Sequence, residues 1–154
     1  MTARQILIVG IGHPDRGDDA VGRIVAARLR EHQPPNVMVA ETHGEAAALL
    51  DLIAGQDDVI IVDAGLSGGE PGSIHRLDAV AAPLPRPMFA TSSHAIGLAE
   101  SIELARTLGT LPHRCIVFAI EGRSFNLGEG LSPPVAGAVE EVVERVLAEL
   151  PVAV

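Results

Sequence analysis

Residues 58–77 read Asp58-Val59-Ile60-Ile61-Val62-Asp63-Ala64-Gly65-Leu66-Ser67-Gly68-Gly69-Glu70-Pro71-Gly72-Ser73-Ile74-His75-Arg76-Leu77, and this stretch decides the fold. Val59 to Val62 is a continuous β-branched run, the pattern of a strand buried on both faces. An aspartate follows it directly. From Gly65 to Gly72 the chain is rich in glycine, holds a proline and has no helical pattern. Ser73 to Leu77 then reads as a second short strand. A parallel partner would need a crossover helix, so this strand is expected to be antiparallel and near a sheet edge.

Three further apolar runs flank this centre: Ile6 to Val9, Val37 to Ala40, and Ile116 to Ile120. Helical patterns alternate with them. Val21, Ile24, Val25 and Leu29 mark a first helix. Ala46 to Ile53 gives a second, with Thr42-His43-Gly44-Glu45 read as its capping box and Gly55 as its stop. Ile96 to Leu108 gives a third, capped by Ser92 or Ser93. Val135, Val139, Val142, Val143, Val146 and Leu147 form one stripe of a last helix, which starts at the N-cap Ser132 and Pro133. Strands alternating with helices predict an α/β fold, a largely parallel sheet with helices on both faces. The stretch from Ala81 to Pro87, with three prolines, reads as a surface loop.

The chain has 154 residues, the length of one domain, and no repeat or linker divides it. At 47% hydrophobic it is too apolar for a disordered protein. A net charge of −9 argues against nucleic acid and against anionic membrane as partners. Tyr and Trp are absent, so stacking platforms for single strands are missing as well. No apolar stretch reaches the roughly 20 residues of a membrane span, and no signal peptide opens the chain. A cytoplasmic monomer is the expectation. Cys115, the single cysteine, lies in an apolar run and reads as a core residue.

Parallel sheets bind ligands beyond the carboxyl ends of their strands. There the chain places Gly10-Ile11-Gly12-His13-Pro14-Asp15-Arg16-Gly17-Asp18-Asp19, then Glu41 and His43, Asp63, and Glu121. His94, read as opening the third helix, joins them. The first loop is not a dinucleotide fingerprint, because Asp15 holds the third glycine position and its acids repel a pyrophosphate. Gly65-Leu66-Ser67-Gly68-Gly69 matches the nucleophile-elbow pattern, yet the required helix does not follow.

Each remaining residue has a plain structural reading beside the functional one. Asp18 is expected to cap the first helix, and Asp19 could simply complement its dipole. Asp63 is harder to bury without a partner. A helix N-terminus would keep His94 neutral, as a metal ligand must be. Asp19, Asp63 and His94 are therefore the candidate metal ligands, a carboxylate and imidazole set suited to nickel or zinc. His13, Asp18, Glu41 and His43 are candidates for substrate contact or support. His32, His75 and His113 read as surface residues.

Gly10 to Gly22, Val62-Asp63-Ala64, Ser93-His94-Ala95-Ile96-Gly97-Leu98 and Gly128-Glu129-Gly130-Leu131-Ser132-Pro133 together resemble the maturation endopeptidases of nickel–iron hydrogenases, in order and over nearly the whole chain. The resemblance implies a three-layer α/β/α sandwich of the phosphorylase/hydrolase-like kind. Its mixed five-stranded sheet would have the order 2-1-3-5-4 with the fourth strand antiparallel. It implies removal of a C-terminal extension from the precursor of the hydrogenase large subunit after nickel insertion. It carries the metal-contacting and catalytic roles to Asp19, Asp63 and His94, with nickel supplied by the substrate. Other divalent metals such as zinc or cadmium can occupy such a site. Two positions depart from the family pattern. His13 stands where Asn is usual, and Glu41-Thr42-His43-Gly44 stands where the second strand usually ends in an aspartate and a glycine-rich turn. Two other readings stay open: a serine hydrolase using Ser67, and a nickel-binding chaperone that does not cut.

Overall fold

The computed structural model describes residues 5–90 and 94–151. Its strands are β1 (Ile6–Ile11), β2 (Val37–Thr42), β3 (Asp58–Gly65), β4 (Ile74–Asp78) and β5 (Arg114–Glu121). Its α-helices are α1 (Val21–His32), α2 (Ala46–Ile53), α3 (Leu98–Leu108) and α4 (Pro133–Glu149). The sheet order is β2-β1-β3-β5-β4. The first four strands of that order run parallel, and β4 pairs antiparallel with β5. The order is the one the family resemblance implies, and the reversed strand agrees with the reading of residues 58–77.

Alternate residues of the central strands feed two separate cores. Leu7, Val9, Val59, Ile61 and Val117 pack with α2 and α3 through Leu49, Ile53 and Ile102. Ile6, Ile8, Ile60, Val62, Ile116 and Phe118 pack with α1 and α4 through Val25, Leu29, Val139 and Val142. A strand flanked by helices on both faces has no solvent side, which is why these runs show no polar alternation. Each fully buried Val, Leu or Ile contributes roughly 1.5–3 kcal/mol of burial free energy. Cys115 belongs to the first core, and burial pushes its thiol up to about 12, so it is a packing residue as read.

The caps of three helices differ from expectation. The chain enters α1 through a 3-10 turn, Gly17–Ala20, and Asp18 caps neither element. Glu45 is the N-cap of α2, and the Gly44 N–H donates to Thr42 Oγ1 at 3.3 Å, closing a local turn instead of a capping box. Helix α3 starts at Leu98 with Gly97 as N-cap. The serines proposed as its cap, Ser92 and Ser93, lie outside the described residues. Ser132 is the N-cap of α4 as expected, although its hydroxyl serves another partner.

Two glycines bring α1 onto the sheet. A Cβ on Gly22 would collide with the carbonyl oxygens of Val62 and Ile11, and one on Gly10 with that of Gly22. No side chain fits there, so the helix backbone rests directly on β1 and β3 beside Asp63.

Candidate active site

Strand register sets the acids of β3 and β5 on one rim. Asp63 pairs with Ala119, and Gly65 with Glu121, at the carboxyl ends of both strands. Side chains alternate along a strand. Asp63 therefore shares the face of Ile61, towards the layer that contains α3. Asp63 is only 8% exposed. Its Oδ1 accepts the N–H of Ala64 at 2.8 Å. Burial first, and then the negative charge of Asp19, hold its carboxyl well above the usual range, against the smaller opposing effect of that N–H.

Asp19 reaches this position from the 3-10 turn before α1. It is half-buried, and its Oδ2 accepts the His13 N–H at 2.9 Å. A Cβ on Gly12 would strike the Asp19 carbonyl, and Gly12 has φ +152°, so the first loop folds tightly over this turn. Asp19 and Asp63 are thus brought together as two like charges, one of them desolvated.

His94 is half-buried in the segment leading into α3. It precedes the N-cap Gly97 and is outside the first turn of the helix. The helix field falls off within that turn, so the expected dipole argument for a neutral ring does not apply. Among the described residues no three His, Cys, Asp or Glu side chains are gathered closely enough to hold a metal ion. The protein alone joins the two aspartates, and His94 is not drawn in with them. In the first turn of α3, Glu100 buries Oε2 without a hydrogen-bond partner among the described residues.

Asp18 plays a different part from the one expected. It is fully buried. Oδ2 accepts from Arg123 N–H at 2.7 Å, Ser124 N–H at 3.1 Å and Ser132 Oγ at 2.8 Å, and Oδ1 accepts from Ser132 N–H at 2.7 Å. Burial alone would raise its pKa, but these four bonds prevail and leave it lowered. The Asp18 N–H donates in return to the Ser124 carbonyl at 2.8 Å. Asp18 is the clamp between the loop after β1 and the connection from β5 to α4.

Glu41 is likewise committed. Arg23 reaches it at 3.3 Å and Arg30 at 2.8 Å, tying the end of β2 to α1. His13 and His43 lie together, ring centroids 5.5 Å apart.

One cluster escaped the sequence reading. Glu121 is completely buried and accepts the Ser67 N–H at 2.7 Å and the Ser67 hydroxyl. His75 Nε2 stands 3.3 Å from the same carboxylate. Burial opposes ionisation here too, yet the bonds from Ser67 and the contact with His75 outweigh it, and Glu121 titrates below its usual range. His75 is therefore a partner of a buried acid and not a plain surface residue. The signal was an acid ending the wholly apolar run of β5, which must find donors if buried.

The family model described as hydrogenase maturation protease matches residues 23–149. The chain belongs to the hydrogenase maturation proteases. The hydrogenase 2 maturation protease of Escherichia coli is 31% identical over 151 residues, covering 95% of this chain and 90% of that protein. Among solved structures, the hydrogenase maturating endopeptidase HybD from Escherichia coli superposes with a TM-score of 0.76 at 27% identity, covering 94% of this chain and 90% of that one. The nickel–iron hydrogenase maturation protease HycI from Thermococcus kodakarensis gives 0.70 at 28% identity, with the same coverage of both chains. Membership places the chain among the hydrolases that cut peptide bonds. The sheet order of this maturation protease, which the family resemblance implied, is that of its structural neighbours.

Proposed function

We propose that the chain is the endopeptidase that removes the C-terminal extension of a nickel–iron hydrogenase large-subunit precursor once nickel is inserted, with the substrate's nickel recognised by Asp19, Asp63 and His94. The observation that carries this reading is the strained pair of acids. Asp63 is desolvated beside the charge of Asp19, and a cation arriving with the substrate relieves both the burial and the repulsion. An unloaded precursor brings no such charge and is bound poorly, which makes cleavage conditional on loading. His94 completes the contact when the precursor docks. Nickel on the substrate is a Lewis acid that can polarise the neighbouring carbonyl, while Asp19 and Asp63 orient it and Asp63 holds a proton more readily than a free carboxylate does.

The serine hydrolase reading loses support from the same rim. The Ser67 hydroxyl donates to Glu121, whose carboxylate is held ionised below its usual range and so is a weak base. The chain continues from Ser67 into β4 and not into a helix, so the elbow geometry is missing.

The test is mass spectrometry of nickel-loaded and nickel-free precursor after mixing with wild type, Asp63→Asn or His94→Ala. The expected result is a shortened loaded precursor with wild type and a rate lower by at least about a hundredfold in Asp63→Asn, the scale lost with one electrostatic group of an active site. Binding without shortening would identify a chaperone that does not cut. Equal rates in wild type and Asp63→Asn would remove the acid pair from the chemistry.

A further inference from the structure

His13 and His43 belong neither to the acid pair nor to the bonds that engage Asp18 and Glu41. Their rings approach to 5.5 Å between centroids with 57° between their planes. Tilted in this way they are not stacked, and among the described residues no hydrogen bond joins them. A metal ion binds imidazole nitrogen at about 2.0–2.1 Å, which puts the ring centroid about 3.2 Å from the ion. Two imidazoles at a tetrahedral angle then have centroids about 5.2 Å apart, close to the spacing found.

His13 Nδ1 accepts the Asp15 N–H at 3.1 Å in an exposed position. In that bond Nδ1 presents a lone pair, as a metal-binding nitrogen must. A cation at Nδ1 takes the place of the amide hydrogen, which water then satisfies. His43 is exposed, and neither of its ring nitrogens has a hydrogen-bond partner among the described residues. Both backbones are held: the His13 N–H by Asp19 at 2.9 Å, and the turn after His43 by the Gly44 N–H on Thr42.

We infer that His13 and His43 form a two-imidazole site for a late first-row divalent cation of the nickel or zinc class, beside the Asp19–Asp63 pair and completed by water. Imidazole selects such ions over magnesium or calcium, which prefer oxygen. The acidic chain, with Asp15 and Asp19 on the same loop, favours a cation there. The site stands apart from the cleavage reading, because no precursor enters its test.

Tag-free full-length protein is titrated calorimetrically with nickel chloride at neutral pH, with magnesium chloride as the comparison. Variants are His13→Ala, His43→Ala and, as the control, His113→Ala, an exposed histidine that faces Asp57 before β5. His43 is exposed, so its variant keeps the fold, which circular dichroism checks. Nickel is expected to bind, magnesium not, with affinity falling about tenfold or more in His13→Ala and His43→Ala and staying within about threefold in His113→Ala. Unchanged affinity in His43→Ala, an equal loss in His113→Ala, or no nickel binding at millimolar metal would each overturn the site.

Discussion

Replacing Asp18 by Asn changes one atom and preserves shape. The wild-type carboxylate receives three N–H groups and one hydroxyl. If the new amide nitrogen takes the place of Oδ2, it faces the N–H groups of Arg123 and Ser124. If it takes the place of Oδ1, it faces only Ser132 N–H, so this orientation is adopted. One charge-assisted bond is then lost and one buried donor is left unsatisfied, which costs about 1.5–3 kcal/mol. The three bonds that remain lose their ionic character, and the sum is about 3 kcal/mol. For a chain of this length that corresponds to a fall in Tm of roughly 6–12 °C. The sign with pH follows from the lowered pKa of Asp18. A carboxylate with a depressed folded pKa contributes stability that is present above its unfolded value and is lost as pH falls through the folded one. The gap between wild type and Asp18→Asn should therefore be full at neutral pH and should close below the ordinary value of 3.8. Urea melts of both proteins from neutral pH downwards measure it. A difference under about 0.5 kcal/mol at pH 7, the scale of an ordinary surface substitution, or a gap that ignores pH, would refute the clamp.

Gly22→Ala should cost more than about 3 kcal/mol, because its methyl group meets two backbone carbonyls that cannot yield without lifting α1 from the sheet; a thermal midpoint close to wild type would contradict the packing. Asp63→Asn should stabilise the substrate-free protein at neutral pH while abolishing cleavage. The raised pKa of Asp63 means that its contribution is complete below the unfolded value and is lost as pH rises through the folded one, so the variant's advantage in denaturant melts should widen with pH from acid to neutral. Cys115, with its thiol pushed up to about 12, should resist iodoacetamide in the native protein and react once unfolded; labelling of the native form followed by mass spectrometry decides this.

The sheet was legible because burial on both faces leaves an unmistakable trace. Val59 to Val62 and Ile116 to Ile120 have no polar residue to signal a solvent face. The connection from Gly65 to Gly72 has no helical pattern, so the reversed strand could be inferred without any long-range contact. Helix starts were harder, because they depend on partners that sequence does not display. Asp18 has the form of an N-cap, yet its partners Arg123, Ser124 and Ser132 lie 105, 106 and 114 residues away. Local propensity ranks a cap first only when no distant donor competes for the carboxylate. His75 was missed for the same reason. Its partner Glu121 is 46 residues away, and an alternating position on an edge strand looks like solvent exposure.

Two buried acids end neighbouring strands on this rim, and the difference between them separates structure from function. Both were visible in the sequence as acids closing apolar runs, and by the same reasoning both had to find partners. Glu121 found them: Ser67 and His75 satisfy it, and it ionises more readily than a free carboxylate. Asp63 did not. It has the Ala64 N–H, and it faces a second negative charge. A fold that can surround Glu121 with donors at one strand end could do so at the next. Gly10 and Gly22 instead bring α1 down until Asp19 stands against Asp63, which raises the cost of the charge. Such a cost persists in a folded protein when something outside the chain relieves it. On the proposed function it is Asp63, left with the costlier charge, and not the well-bonded Glu121, that the substrate's cation would relieve.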